Sequence, residues 1–475
     1  MTDQGAASTT MRRLAEALGE GGVLTDDADI APYGTDWRDL YRNPPLAVLR
    51  PRTAEEVAAA VAICAEAGIR IVPQGGNTSM VAGGVPDEPG SRAVLTLARM
   101  NAVRDIDRDG LTMIIEAGAT LAAARDAAAE AGAMLPLSIA AEGSAMIGGV
   151  IATNAGGINT LRFGNMRDLT LGLEVVLPDG RIWHGLRRLR KDNTGYALRH
   201  LFAGSEGTLG IITAAALRLV RAPRRQETAF CALPSLEALL DLFGRLRDED
   251  ESALYAFEYI SGGAMDLLLE QIDGATLPLA EPAPVYALIE VASTRRHDAL
   301  RETLESVLGE ALEAGVISDA VIAESEAQRQ TFWTLRENLP ESQRLAGASV
   351  KNDISVPVAA LPALLTRGET ALREIVPDAR IVAFGHAGDG NVHFNVVQNQ
   401  GDDPAALMDK AEAIMDCVNE VTAALGGSFA AEHGIGLVKR AAFQRFRDDV
   451  ERDMMRRIRG ALDPDGLLNP GKIFQ

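Results

Sequence analysis

The spacing of apolar and polar positions divides the chain into two textures. Up to about residue 222, short apolar runs alternate with Ala-rich stretches and glycine passages. Thr53–Gly68 (TAEEVAAAVAICAEAG) opens on Thr, carries Glu three residues later and stops at Gly. That pattern predicts a helix with a capping box and a C′ glycine. IRIVP (69–73), AVLTL (93–97) and LTMIIEAG (111–118) predict strands, and Ala122–Ala133 an Ala-rich helix. LTLGLEVVLPDGRIWHG (169–185) predicts a hairpin with Asp179-Gly180 at its turn. From APRR (222–225) onward the helices lengthen and strands such as PVYALIEV (284–291) appear. Two domains are therefore expected, 1–222 and 223–475. Leu437–Leu462 predicts one long amphipathic helix, stopped by Asp463-Pro464-Asp465-Gly466.

Composition narrows the function classes. The chain has 475 residues, with 46 Lys+Arg against 66 Asp+Glu for a net charge of −20. Nucleic-acid and anionic-membrane partners both need a basic face, so neither is expected. No apolar run approaches the roughly 18 residues of a spanning helix. The opening MTDQGAASTTMRR lacks an apolar core, so no secretory leader is expected. Cys64, Cys231 and Cys417 are too scattered for a disulfide framework or a CxxC zinc site, which fits a cytoplasmic location. Only five basic residues are lysines, among them Lys351 and Lys472.

Three glycine passages stand out: Gln74–Pro86 (QGGNTSMVAGGVP), Gly143–Gly164 (beginning GSAMIGGVIATNAGG) and Lys191–Thr213, which contains GSEGTLG. Consecutive N–H groups without Cβ cover form a nest for an anionic pyrophosphate. One such passage alone reads more readily as a plain surface turn, but three in one domain point to a long anionic cofactor. GxGxxG and GxxxxGK[ST] are both absent, which disfavours Rossmann and Walker sites but leaves a dinucleotide held by other loops open.

Six histidines occur, and three of them fall in two short motifs. In IVAFGHAGDGNVHFNVV (381–397) a turn centred between Gly388 and Asp389 sets His386 opposite Asn391. Period-two alternation then puts His393 and Asn395 on that same face, with Val392, Phe394 and Val396 on the other. AAEHGIG (430–436) supplies Glu432 and His433. Two imidazoles and a carboxylate form a divalent-metal set with open positions, whereas a lone His is usually a satisfied core residue. His184, His200 and His297 lack such motifs and read as structural or surface residues. Arg336, in a WTLRE segment expected just before a helix, and Lys351, in SVKNDISVP, suit a substrate carboxylate or a surface ion pair.

Taken together, PQGGNTSMVAGGVP, GGVIATNAGG, LRKDNTGYALRHLFAGSEGTLGIIT, GHAGDGNVHFN, AEHGIG and LLNPGKIF resemble the FAD-dependent D-2-hydroxy-acid dehydrogenases. These are flavoproteins of the vanillyl-alcohol-oxidase (PCMH) type, and the likeness is strongest to D-2-hydroxyglutarate dehydrogenases. It runs from about residue 20 to 475. It implies an α+β fold of two domains: an FAD domain, and a substrate domain with an antiparallel sheet and a C-terminal segment that returns to the flavin. FAD contacts are implied for Gly75, Gly76, Asn77, Thr78 and Ser79. A second FAD loop is implied at Gly143, Ser144, Gly148, Thr153, Gly156 and Gly157. Glu206, Gly207 and Ile212 follow near the adenine and ribose, and Asn469 and Lys472 in the closing segment. The resemblance also implies His386, His393 and Glu432 as ligands of a divalent metal, with zinc the first choice and manganese the second. Asn395, Arg336 and Lys351 are implied to hold the substrate, and His433 to act as base.

Two departures matter. Covalent members often carry His where Asn77 stands, so noncovalent FAD is expected. D-2-hydroxyglutarate dehydrogenases have Thr where Pro340 stands, which weakens the expectation of a dicarboxylic substrate and keeps D-lactate and glycolate as alternatives. The expected partners are a 2-hydroxy acid and an electron acceptor such as an electron-transfer flavoprotein or a quinone; a homodimer is compatible. A flavin-free metal hydrolase or lyase and a noncatalytic FAD sensor are the rival classes, and a colourless purified protein would favour the first of these.

Overall fold

A computed structural model describes residues 3–296 and 299–474. His297 lies outside the described residues, as do Met1 and Thr2 at the start of the leader reading. The chain forms two compact units. The first joins Met1–Gly156, Phe163–Ala222 and Glu432–Gln475, and the second joins Gly157–Arg162 and Pro223–Ala431.

The first unit holds two larger sheets over a large apolar core, beside a two-stranded pair of Ala133–Met134 with Val220–Arg221. In the four-stranded sheet, Ala47–Leu49 and Arg70–Gln74 both run parallel to Arg92–Thr96. The crossover between the first two is the helix Ala54–Ala67. The Thr53 hydroxyl accepts the Glu56 N–H at 3.2 Å, and Gly68 ends the helix at φ +67°. The return arm of the expected box is shifted by one residue, because the Glu56 carboxylate accepts from Arg52 N–H instead. Five antiparallel strands make the other sheet, ordered Val103–Asp107, Thr112–Glu116, Ile211–Arg218, Thr170–Val176, Ile182–Gly185. Gly180 turns the last hairpin at φ +82°.

The second unit is built on an antiparallel sheet with helices on both faces. Its order is Asp319–Ile322, Arg225–Leu233, Val285–Ser293, Leu254–Ser261, Arg380–His386, Asn391–Val397 and Ser349–Val350, and Asp353–Ser355 also pairs with Asn391–Val397. Alternate residues enter different cores: Ala229, Cys231 and Leu233 one, Phe230 and Ala232 the other. A sheet covered on both faces needs near-continuous apolar strands, which is why these segments show little polar alternation.

Two sequence expectations change. The long C-terminal helix is two, Arg440–Phe446 and Asp449–Leu462. Asp448 breaks it, since its carboxylate accepts the N–H groups of Val450 and Glu451 and so starts a new helix. Trp333–Glu337 does precede a helix, Leu339–Ala346, but is itself helical, completing Glu326–Glu337, which Ser325 caps. All three cysteines are free thiols, and burial pushes Cys64 and Cys231 up to about 12. No described helix is long and apolar enough to cross a membrane.

Candidate active site

In the first unit the glycine passages meet. A Cβ on Gly76 would stand 1.8 Å from the Ser144 carbonyl oxygen, so the two loops touch backbone to backbone. Gly148 is similarly confined by Ala117. Asn77 adopts φ +53° and donates its amide to the Thr35 carbonyl at 2.8 Å. The Ser79 hydroxyl accepts the N–H groups of Val81 and Gly83, which leaves its own hydrogen for a ligand. Thr153 turns its hydroxyl back onto the Gly149 carbonyl at 3.0 Å. Gly143 and Ser144 are exposed, while Gly75, Thr78 and Gly156 are half-buried.

The third passage is tied to the C-terminus. Glu206, at φ +51°, is buried and accepts the N–H groups of Ile435 and Gly436, each at 2.7 Å. Burial raises its pKa against the pull of those two N–H groups. Gly434 must be glycine, for a Cβ there would lie 2.8 Å from the Glu206 carboxylate and its φ is +76°. Gly207, at φ +71°, packs on Pro73, and Ile212 is buried in the adjoining strand. Asn469 donates to the carbonyls of Gly83 and Glu206, and its own Oδ1 is buried without a partner. Lys472 is fully buried, donates to the Val85 carbonyl at 2.7 Å and is pushed down to about 8 by burial, against the pull of Asp87 and Glu206. The closely set glycines, the spare Ser79 hydrogen and the orphaned Asn469 acceptor fit an extended group with anionic and donor ends, as FAD has.

In the second unit the hairpin register is Phe384↔His393 and Val382↔Asn395. This is the register expected from a turn centred between Gly388 and Asp389. The His386 and His393 ring centroids lie 6.3 Å apart. Each imidazole faces a carboxylate. His386 Nδ1 is 2.7 Å from Glu258 Oε1, and His393 Nδ1 is 3.8 Å from Asp353. Where Nδ1 donates to a carboxylate, Nε2 is left as a ligand atom, the usual support of a metal-binding imidazole. His386 and His393 thus bring two imidazoles together in the second unit, and Glu432 opens the last stretch of the first, directly after Ala431. The donor set and the carboxylates behind it fit a divalent ion.

Arg336 is buried on the helix Glu326–Glu337. Its Nε donates to Glu258 Oε2 at 2.8 Å, and its guanidinium lies 4.8 Å over the Phe384 ring. Asn395 is held on both sides, its Oδ1 accepting from Asn352 N–H and its Nδ2 donating to Gln343, which leaves one amide hydrogen. Lys351 lies between the strands Ser349–Val350 and Asp353–Ser355. Sequence reasoning missed Glu258 and Asp353. The available signal for Glu258 was a carboxylate in the middle of an otherwise uncharged buried strand, LYAFEYIS. His184 is an exposed partner of Glu174, and His200 is exposed.

Residues 45–185 match the FAD binding domain family, and residues 222–473 match the C-terminal domain of FAD linked oxidases. The chain is 38% identical over 463 residues to the D-2-hydroxyglutarate dehydrogenase of Xanthomonas citri pv. viticola, covering 97% of this chain and 96% of that protein. The chain belongs to the FAD-dependent D-2-hydroxy-acid dehydrogenases. The mitochondrial D-2-hydroxyglutarate dehydrogenase of Bos taurus is also 38% identical, over 97% of this chain and 82% of its own length. Among solved structures, substrate-bound p-cresol methylhydroxylase aligns with a TM-score of 0.75 at 17% identity, covering 99% of this chain and 97% of that one. That likeness gives the fold, the vanillyl-alcohol-oxidase type of two-domain flavoprotein.

Proposed function

We propose that this dehydrogenase oxidises D-2-hydroxyglutarate to the 2-oxo acid, using noncovalent FAD and a divalent metal held by His386, His393 and Glu432. The observation that carries the substrate is the near full-length similarity to relatives named for D-2-hydroxyglutarate, joined to the two cations Arg336 and Lys351. When bound, FAD supplies the acceptor for the hydride of C2, and a divalent ion supplies Lewis acidity toward the hydroxyl and carboxylate oxygens. His433 takes the hydroxyl proton. Arg336 and Lys351 hold the carboxylate remote from the reacting carbon, and the remaining Asn395 amide hydrogen orients the substrate. The stacked, buried guanidinium of Arg336 resists reorientation, which favours a bidentate carboxylate grip. The reading is tested by a panel of D-2-hydroxy acids with an artificial electron acceptor. Turnover of D-lactate far above that of D-2-hydroxyglutarate would reject the substrate while sparing the rest.

D-lactate is the second reading, favoured by Pro340. This residue sits in the first turn of the helix Leu339–Ala346, where proline is well accommodated, and its ring offers no hydrogen bond to a distal carboxylate.

Asn77 has no nucleophilic atom suited to flavin attachment. Acid precipitation should therefore release all the yellow colour into the supernatant, and colour retained in the pellet would refute noncovalent binding. Chelator treatment should abolish turnover while the flavin absorbance persists, with activity restored by zinc or manganese. Full activity in verified metal-free protein would remove the metal from the reaction.

A further inference from the structure

We propose that Glu258 is a positioning residue that fixes the metal ligand His386 and the substrate anchor Arg336 with a single carboxylate. The inference rests on the metal and substrate reading above and assigns to this chain a residue outside its implied site.

Glu258 lies in the strand Leu254–Ser261, directly paired with His386 in the ladder, and is completely buried. Its two oxygens go to different elements: Oε1 to His386 Nδ1 at 2.7 Å and Oε2 to Arg336 Nε at 2.8 Å. Oε2 is bonded to a guanidinium that is always charged, so the group sits there as a carboxylate facing a permanent cation. A carboxylate only accepts, so the hydrogen it shares with His386 sits on Nδ1, which turns Nε2 to the side where a metal would be held. The same charge seizes one edge of the Arg336 guanidinium while Phe384 covers its face, which fixes the direction of the terminal nitrogens. A change at Glu258 is thereby felt by both the metal and the far end of the substrate.

The competing account is a buried ion pair that merely clips a helix to a sheet. Glu290 supplies that comparison. It is a buried carboxylate on the neighbouring strand that accepts from Trp333 Nε1 at 2.8 Å and Arg329 at 3.1 Å, on the same helix as Arg336.

The experiment uses FAD-loaded full-length protein. Zinc affinity is measured by competition with a chromophoric chelator, and KM and kcat by flavin reduction. Glu258→Gln keeps the shape, but its amide can accept from only one of the two N–H groups and must turn a donor toward the other. E258Q should weaken zinc binding by about 10–100-fold, the usual effect of losing the group behind a metal ligand. It should also raise KM for D-2-hydroxyglutarate, and that increase should shrink when Arg336→Lys is already present. E290Q should lower Tm without changing zinc affinity. Glu258→Asp retains the charge at a shorter reach and should weaken zinc binding less; it replaces E258Q if that variant does not fold. Zinc affinity within about threefold of wild type in E258Q, or an equal loss in E290Q, overturns the proposal. A wild-type protein that binds no zinc or manganese rejects the metal reading instead, and the Arg336 half is then decided by the KM comparison.

Discussion

Replacing His433 with alanine is expected to lower the rate of flavin reduction by about 10²–10⁴-fold, the usual contribution of a general base. FAD content and zinc content should stay at wild-type levels, because the FAD loops and the three candidate ligands are untouched. An imidazole can accept a proton near neutral pH, which the hydroxyl of a 2-hydroxy acid requires. His433 is also well supported. The two N–H groups that follow it, after Gly434, are both bonded to Glu206, so the loop bearing His433 is anchored on a buried carboxyl group. Stopped-flow reduction by substrate measures the step directly. A His433→Ala protein that reduces its flavin within tenfold of the wild-type rate would take the base assignment away from this residue.

The second large effect concerns the far end of the substrate. Arg336→Ala should cost about 2–5 kcal/mol of transition-state stabilisation toward D-2-hydroxyglutarate, read as the ratio of kcat/KM values. Part of that loss comes from Glu258, which would stay buried with one cation fewer. D-lactate has no second carboxylate and should lose much less. An equal loss for both acids would move Arg336 to the carboxylate at C1, and no loss for either would leave it a structural cation.

The register of the histidine hairpin was legible because its geometry is local. AGDG can turn in few ways, and the turn centre together with period two fixes which side chains share a face. The meeting of the glycine passages was legible for a related reason, as backbone contact such as that of Gly76 with Ser144 favours a glycine in the sequence. The partners behind these groups were not legible. Glu258 is separated from His386 by 128 residues, and Glu206 from Ile435 by 229, and no local periodicity carries a pairing over such distances. The break in the C-terminal helix was missed because the apolar stripe continues across it, while a single carboxylate, Asp448, redirects the backbone. The sequence reading drew only Glu432 and His433 from AEHGIG, yet its Gly434 and Gly436 are required for close packing on Glu206 and Val81.

The route of the chain through the first unit has a consequence for biosynthesis. Ile71 bridges to Leu468, and Glu206, Gly83 and Val85 receive their hydrogen-bond donors from residues 435–472. Those donors are made after residues 223–431. While the ribosome is still translating, residues 223–431 can complete their own sheet, whereas the earlier-made portion holds a carboxylate and carbonyls with nothing to satisfy them. The usual order, in which the N-terminal domain matures first, is therefore inverted. An FAD site formed by these loops would therefore close only once residues 435–472 have been translated and have folded back.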